Sequence, residues 1–209
     1  IVDACGNQVL PSPEMSVSGS DQTAPRLKSN WPSDITNQNN CFANADKSVL
    51  KSNSEIKSLY EDCSEITVTS NDTEELSDDC NWKITRTYTI KDACGNTVNP
   101  SPTMSVSGKD QTAPELIGTW PTDITGQNNC FANADKSGLK TSDQIKALYS
   151  DCSGVNVSYS DANVKISDCD WKITRTYTIK DKCGNTVSPL PTMSVSGSDQ
   201  TAPRLKSNW

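Results

Sequence analysis

Nine cysteines and no histidine set the chemistry open to this chain. Histidine is the side chain that most often serves as a general base and as a transition-metal ligand near neutral pH, so its absence closes both routes. No nucleophile elbow, phosphate-binding glycine loop or metalloprotease helix occurs, and the residues present give no ground for calling the chain an enzyme. Cysteine leaves disulfides or metal. The cysteine spacings are long and none is C-x-x-C, which argues against zinc and for disulfides formed in an oxidising compartment.

The aspartates are the second chemical set. Asp21, Asp110 and Asp199 each open the phrase DQTAP. Asp92 and Asp181 sit in the phrase DxCGN, and Asp62 and Asp151 each precede a cysteine. If these loops meet where one domain joins the next, Asp21, Asp62 and Asp92 converge at one seam and Asp110, Asp151 and Asp181 at the following one. Hard oxygen ligands drawn from several loops are what calcium takes, and calcium there would stiffen the joint. The alternative is that the same aspartates cap their own turns.

What positions these residues is a tandem repeat. Cys5, Cys94 and Cys183 recur at intervals of 89 residues, as do Cys41 and Cys130, Cys63 and Cys152, and Cys80 and Cys169. Residues 25–113 and 114–202 are about two thirds identical without a gap, the mark of tandem duplication. The expected organisation is the C-terminal part of a preceding repeat (1–24), two full repeats (25–113 and 114–202) and the start of another (203–209), a window on a longer array.

Within one repeat, Trp82–Lys91 alternates: Trp82, Ile84, Arg86, Tyr88 and Ile90 point one way, and Lys83 and a row of threonines the other. That is a half-buried strand. Arg86 and Arg175 fall on the apolar face and require a carboxylate or carbonyl partner. Ile66–Ser70 and Thr103–Gly108 read as further strands, and the segment from Ala24 to Thr36 as a strand broken at Pro32. Ser52 with Glu55, and Thr141 with Gln144, fit capping boxes opening short helices. The expected fold is all-β: tandem immunoglobulin-like β-sandwich repeats, each with a short helical insert.

Strand length constrains the cysteines. Cys80 and Cys94 flank a strand of roughly 33 Å, whereas bridged Cα atoms lie within about 7 Å. Cys80 and Cys94 then lie at opposite poles, with Cys41 near the first and Cys63 near the second. The expected pairs are Cys41–Cys80 and Cys63–Cys94, with Cys130–Cys169 and Cys152–Cys183 in the next repeat. Cys41–Cys94 with Cys63–Cys80 is the alternative, and Cys5 is expected to be unpaired within the chain.

The phrases WPTDIT, the run from Trp82 to Asn96 and DQTAP resemble the tandem repeats of very large cell-surface proteins of Bacteroidota, the SprB-like gliding-motility adhesins and HYR-like immunoglobulin-fold repeats. The helical insert departs from the plainer HYR-like pattern, which has a strand there. The resemblance implies an extracellular, surface-displayed adhesive stalk or fibre, without catalysis. Its partners would be neighbouring repeats of the same array, with lateral self-association into filaments as a variant. Trp31 and Trp120 could stack on surface glycans, as in a carbohydrate-binding module, or pack against the neighbouring repeat. A passive spacer of a secreted enzyme is a third reading. The net charge of −7 repels phosphate backbones and argues against nucleic acid. No apolar run reaches the roughly 18 residues of a membrane span.

Overall fold

The alternation of apolar and polar residues becomes the sheet. In β5 (Asn81–Asp92) the side chains of Trp82, Ile84, Tyr88, Ile90 and Asp92 are buried, while Lys83, Thr89 and Lys91 are exposed. The equivalent strand one repeat later, β11 (Asp170–Asp181), repeats the pattern. A computed structural model describes residues 1–11, 14–78, 80–165, 167 and 169–206; the end of the expected following repeat, 207–209, lies outside them. The chain is mostly β, with antiparallel and mixed sheets.

The first full repeat contributes β1 (Arg26–Leu27), β2 (Ile35–Gln38), α1 (Asn53–Ser58), β3 (Tyr60–Glu61), β4 (Ile66–Asp78), β5 and β6 (Thr103–Lys109). The second contributes β7 (Glu115–Leu116), β8 (Ile124–Gln127), α2 (Ser142–Lys146), β9 (Tyr149–Ser150), β10 (Val155–Lys165), β11 and β12 (Thr192–Ser198). Each repeat forms a four-stranded sheet, ordered β2-β6-β5-β4 or β8-β12-β11-β10, and a two-stranded one, β1-β3 or β7-β9. The long neighbours pair antiparallel; β8 joins β12 in parallel. The segment interrupted at Pro32 therefore supplies two strands to two different sheets.

Both expected helix starts form. Ser52 accepts from the Glu55 N–H while Glu55 reaches back, and Thr141 and Gln144 do the same. These reciprocal caps satisfy two orphan donors of a helix too short to persist unaided.

By compactness the chain divides into two units. One comprises 1–33, 51–72 and 86–104; the other comprises 34–50, 73–85 and 105–209. In the first, Ile56, Tyr60, Ile66, Tyr88, Ile90 and Met104 are buried, and Trp31 packs edge-on against Tyr88. Arg86 meets the carboxylate its position requires, in a bidentate pair with Asp72 at 2.7 and 2.8 Å.

In the second unit, Ile145 of α2 and Tyr149 of β9 cluster with Trp171, Ile173, Tyr177, Ile179, Met193 and Val195 of the large sheet. The helix and the short sheet thus lie as a layer over one face of the four-stranded sheet. Arg175 pairs bidentately with Asp161 and stacks over Tyr159 at 3.8 Å. No helix among the described residues is long and apolar enough to cross a membrane.

Candidate functional site

The phrase DxCGN folds the same way at each occurrence. Asp92 accepts from the Asn96 backbone N–H at 2.7 Å and from its side-chain amide at 2.6 Å. Asp181 holds Asn185 in the same manner at 2.8 and 2.6 Å, and Asp3 holds Asn7. Gly95 and Gly184 lie at φ of 99° and 88°, a conformation that glycine adopts without a Cβ penalty. Each loop therefore comes off its long strand as a rigid clamp, with an asparagine amide fixed at its tip.

In the second unit that amide lands on Asp110. Asn185 Nδ2 donates to the Asp110 carbonyl at 3.3 Å. The Asp110 N–H donates to the Cys80 carbonyl at 2.9 Å, and its Oδ1 accepts from the Thr112 N–H at 3.1 Å. Oδ2 lies 3.5 Å from Cys41 Sγ. Asp110 is fully buried. Asn39 closes the same corner, its Oδ1 accepting from the Gln111 N–H at 2.8 Å.

Two disulfides run past this aspartate, Cys41–Cys152 and Cys80–Cys183. They correct the expected pairing. Cys41 is not bonded to Cys80, nor Cys152 to Cys183, and no Cys63–Cys94 or Cys130–Cys169 bridge is present. Cys41 and Cys80 do share a pole, since Asp110 touches both. Each reaches across the seam to a cysteine of the next repeat instead of across its own pole. The bridges join cysteines at sequence separations of 111 and 103, and a loop of about 100 residues is worth about 4–5 kcal/mol in the chain-entropy model. Cys5, Cys63, Cys94 and Cys169 carry exposed thiols.

The expected aspartate sets come together in part around one shared member. Asp110 and Asp151 lie with Cys41 and Cys152, and Asp110 and Asp181 with Cys183; the potential ligand atoms of each group are within 4.8 Å of one another. Asp21 similarly meets Asp62 beside Cys63, and Asp92 beside Cys94. Their hydrogen bonds are those of turn caps. Asp62 accepts from the N–H and hydroxyl of Ser64, and Asp151 from those of Ser153. The sulfurs around Asp110 are held in disulfides, so those groups offer carboxylates alone.

The seam also forms a cleft of about 480 Å³, with Asp110, Thr112 and Glu115 on one side, Asp151 and Cys152 on another, and Asn39, Asn40 and Asn44 opposite. In the first unit the equivalent cleft, about 460 Å³, is lined by Asp21, Thr23, Ala24, Arg26, Glu61, Asp62 and Cys63. Here Asp21 makes one half of the contacts that Asp110 makes. Its Oδ2 accepts from the Cys63 thiol at 3.2 Å, and its carbonyl accepts from Asn96 Nδ2 at 3.2 Å. The Asp21 carboxylate holds the Cys63 pKa up at about 11. Asp199, in the second unit, makes the other half. Its N–H donates to the Cys169 carbonyl at 2.8 Å, and its Oδ2 accepts from the Cys130 thiol at 3.0 Å, which draws the carboxyl below its ordinary range.

Trp31 and Trp120 are half-buried, each with its indole N–H engaged. The Trp31 indole donates to the Thr103 carbonyl at 2.8 Å, and Trp120 donates to that of Thr192 at 3.0 Å while packing edge-on against Tyr149 and Tyr177. Asn39, Asn96 and Asn185 join the aspartates as seam residues. Their signal was the identity of QNNC and CGN between the two repeats. Comparison with protein-family models, with curated proteins and with solved structures yields no match.

Proposed function

We propose that this chain is a load-bearing segment of a long extracellular repeat protein, a semi-rigid stalk or fibre of immunoglobulin-like repeats of the surface-adhesin kind. The observation that carries the reading is the seam: two disulfides and a buried aspartate tie one repeat to the next. A flexible string of independent domains has no need of such a joint. Disulfides of this kind persist in oxidising surroundings, which favours the cell surface over the cytosol.

The work of the segment is mechanical. Repeats set reach, and the stapled joints set stiffness. The packed tryptophans weigh against a sugar-binding array. The edge strand β4 carries exposed Glu74 and Glu75, and charges on an edge oppose lateral pairing of sheets. Contacts along the array, with neighbouring repeats, are therefore favoured over lateral ones. Calcium is not needed to explain the seam, whose aspartates already accept hydrogen bonds from their own loops.

Antibodies raised against the chain test the reading on intact source cells. Surface labelling without permeabilisation is the expected result. Labelling that requires permeabilisation overturns it.

A further inference from the structure

The seam at Asp110 is complete, whereas Asp21 and Asp199 each sit in one half of the same arrangement. Asp21 has the contacts that Asp110 makes toward the later repeat: Cys63 in place of Cys152, Asn96 in place of Asn185, and Cys94 nearby in place of Cys183. The cleft beside it is lined by the counterparts of Asp110, Thr112, Ala113, Glu115, Ser150, Asp151 and Cys152, and lacks those of Ile117 and of Asn39, Asn40 and Asn44, the three that the earlier repeat supplies. Both Cys63 and Cys94 present exposed thiols on this face.

We propose that this face docks a preceding repeat of the same kind and bonds to it covalently: Cys63 with that repeat's counterpart of Cys41, and Cys94 with its counterpart of Cys80. The occupant follows from continuity with the formed seam, because the same four positions are already bonded in this way one repeat later. In such an array every interior cysteine belongs to a bond between repeats and none to a bond within one. The inference rests on the repeat-array reading above and adds the partner and the linkage to it.

Each bond forms by thiol–disulfide exchange with a small-molecule disulfide such as oxidised glutathione. One cysteine thiolate attacks the donor and expels a thiolate. The second attacks the mixed disulfide and expels the other. The two cysteines lose two protons and two electrons, and the donor leaves as two thiols.

The test lengthens the full chain by inserting a further copy of residues 25–113 after Ala24, with lysines of the copy changed to arginine so that its peptides are distinguishable. Parent and lengthened chains are refolded in a glutathione buffer, and disulfides are mapped on non-reduced digests. Both should carry Cys41–Cys152 and Cys80–Cys183. The lengthened chain should add two bridges, from the copy's Cys41 and Cys80 to Cys63 and Cys94. Its count of reactive thiols should equal the parent's, although the copy brings four cysteines. Cys63→Ser in the lengthened chain should raise that count by one. Parental bridges intact with four additional reactive thiols, or bridges closed within the copy, overturn the inference alone. Absence of the parental bridges overturns the stapled-stalk reading along with it.

Discussion

At the scale of single residues the junction depends on Asp110. Its carboxylate accepts from Thr112 beside the Cys41 sulfur, its N–H binds Cys80 and its carbonyl holds the Asn185 amide. Asp110→Ala takes a charged acceptor away from the Thr112 N–H, a bond worth about 1.5–3 kcal/mol. Urea unfolding of the two variants should show a clearly smaller loss for Asp21→Ala, because Asp21 is only part-buried; equal losses would mean that burial at the seam adds nothing. Asp21 has its own readout. With the Cys63 thiol held up at about 11 by the Asp21 carboxylate, alkylation of Cys63 at pH 8 should be slow, since the thiolate is the nucleophile. Asp21→Asn removes that hold, and the pH midpoint for iodoacetamide reaction at Cys63 should fall toward 8–9, the ordinary thiol range. The aspartates were legible in the sequence as a set, because their phrases recur. The disulfide partners were not. In a chain of period 89, Cys63 and Cys152 are the same letter in the same context, so no spacing argument separates a bond within a repeat from a bond between repeats.

At the scale of elements, legibility followed local physics. The alternation in β5 and β11 and the capping boxes of α1 and α2 are written in neighbouring residues, and they formed as read. The two-residue strands β1, β3, β7 and β9 have no periodicity to read; they exist because a partner strand is brought alongside. β4 runs on to Asp78 through acidic and polar residues that favour strands poorly, because the ladder of the adjoining β5 overrides their local preference. The left-handed turn in the QNNC approach is held by Asn37 at φ 67° in one repeat and by Gly126 at φ 77° in the other, two residues that both tolerate it. Gly197 is there for a different reason. A Cβ at this point of β12 would run into the Gln127 carbonyl and come within 2.6 Å of the Trp171 indole. Gly197→Ala should therefore lower stability by about 1–3 kcal/mol through overpacking, with a change in tryptophan emission. Gly19→Ala, which has nothing within 4 Å, should stay within about 0.5 kcal/mol of the parent. Equal melting temperatures for the two variants would mean that the β12–Trp171 approach is not close-packed.

At the scale of the whole molecule, the proposed stalk is to be judged by what the chain does under load, and the bridges across the seam make a quantitative statement about that. Pulled from its ends, an oxidised chain cannot extend the residues enclosed by Cys41–Cys152, because force passes through the sulfurs. The bridge takes its 111-residue separation out of the load path, roughly 370–400 Å of contour at full extension. The Cys80–Cys183 bridge runs in parallel. The route from Cys152 to Cys183 is shorter than that from Cys41 to Cys80, so the second bridge hides little more and instead doubles the covalent connection. Atomic force extension of the chain should therefore end early when oxidised and gain that length in dithiothreitol. Cys152→Ser alone should recover only part of it, because Cys80–Cys183 then takes over and hides its own 103-residue separation. Bridges closed within repeats would behave otherwise. They would shorten each repeat by a few tens of residues and leave the seam extensible, so the released length itself distinguishes a staple across the joint from staples inside the domains.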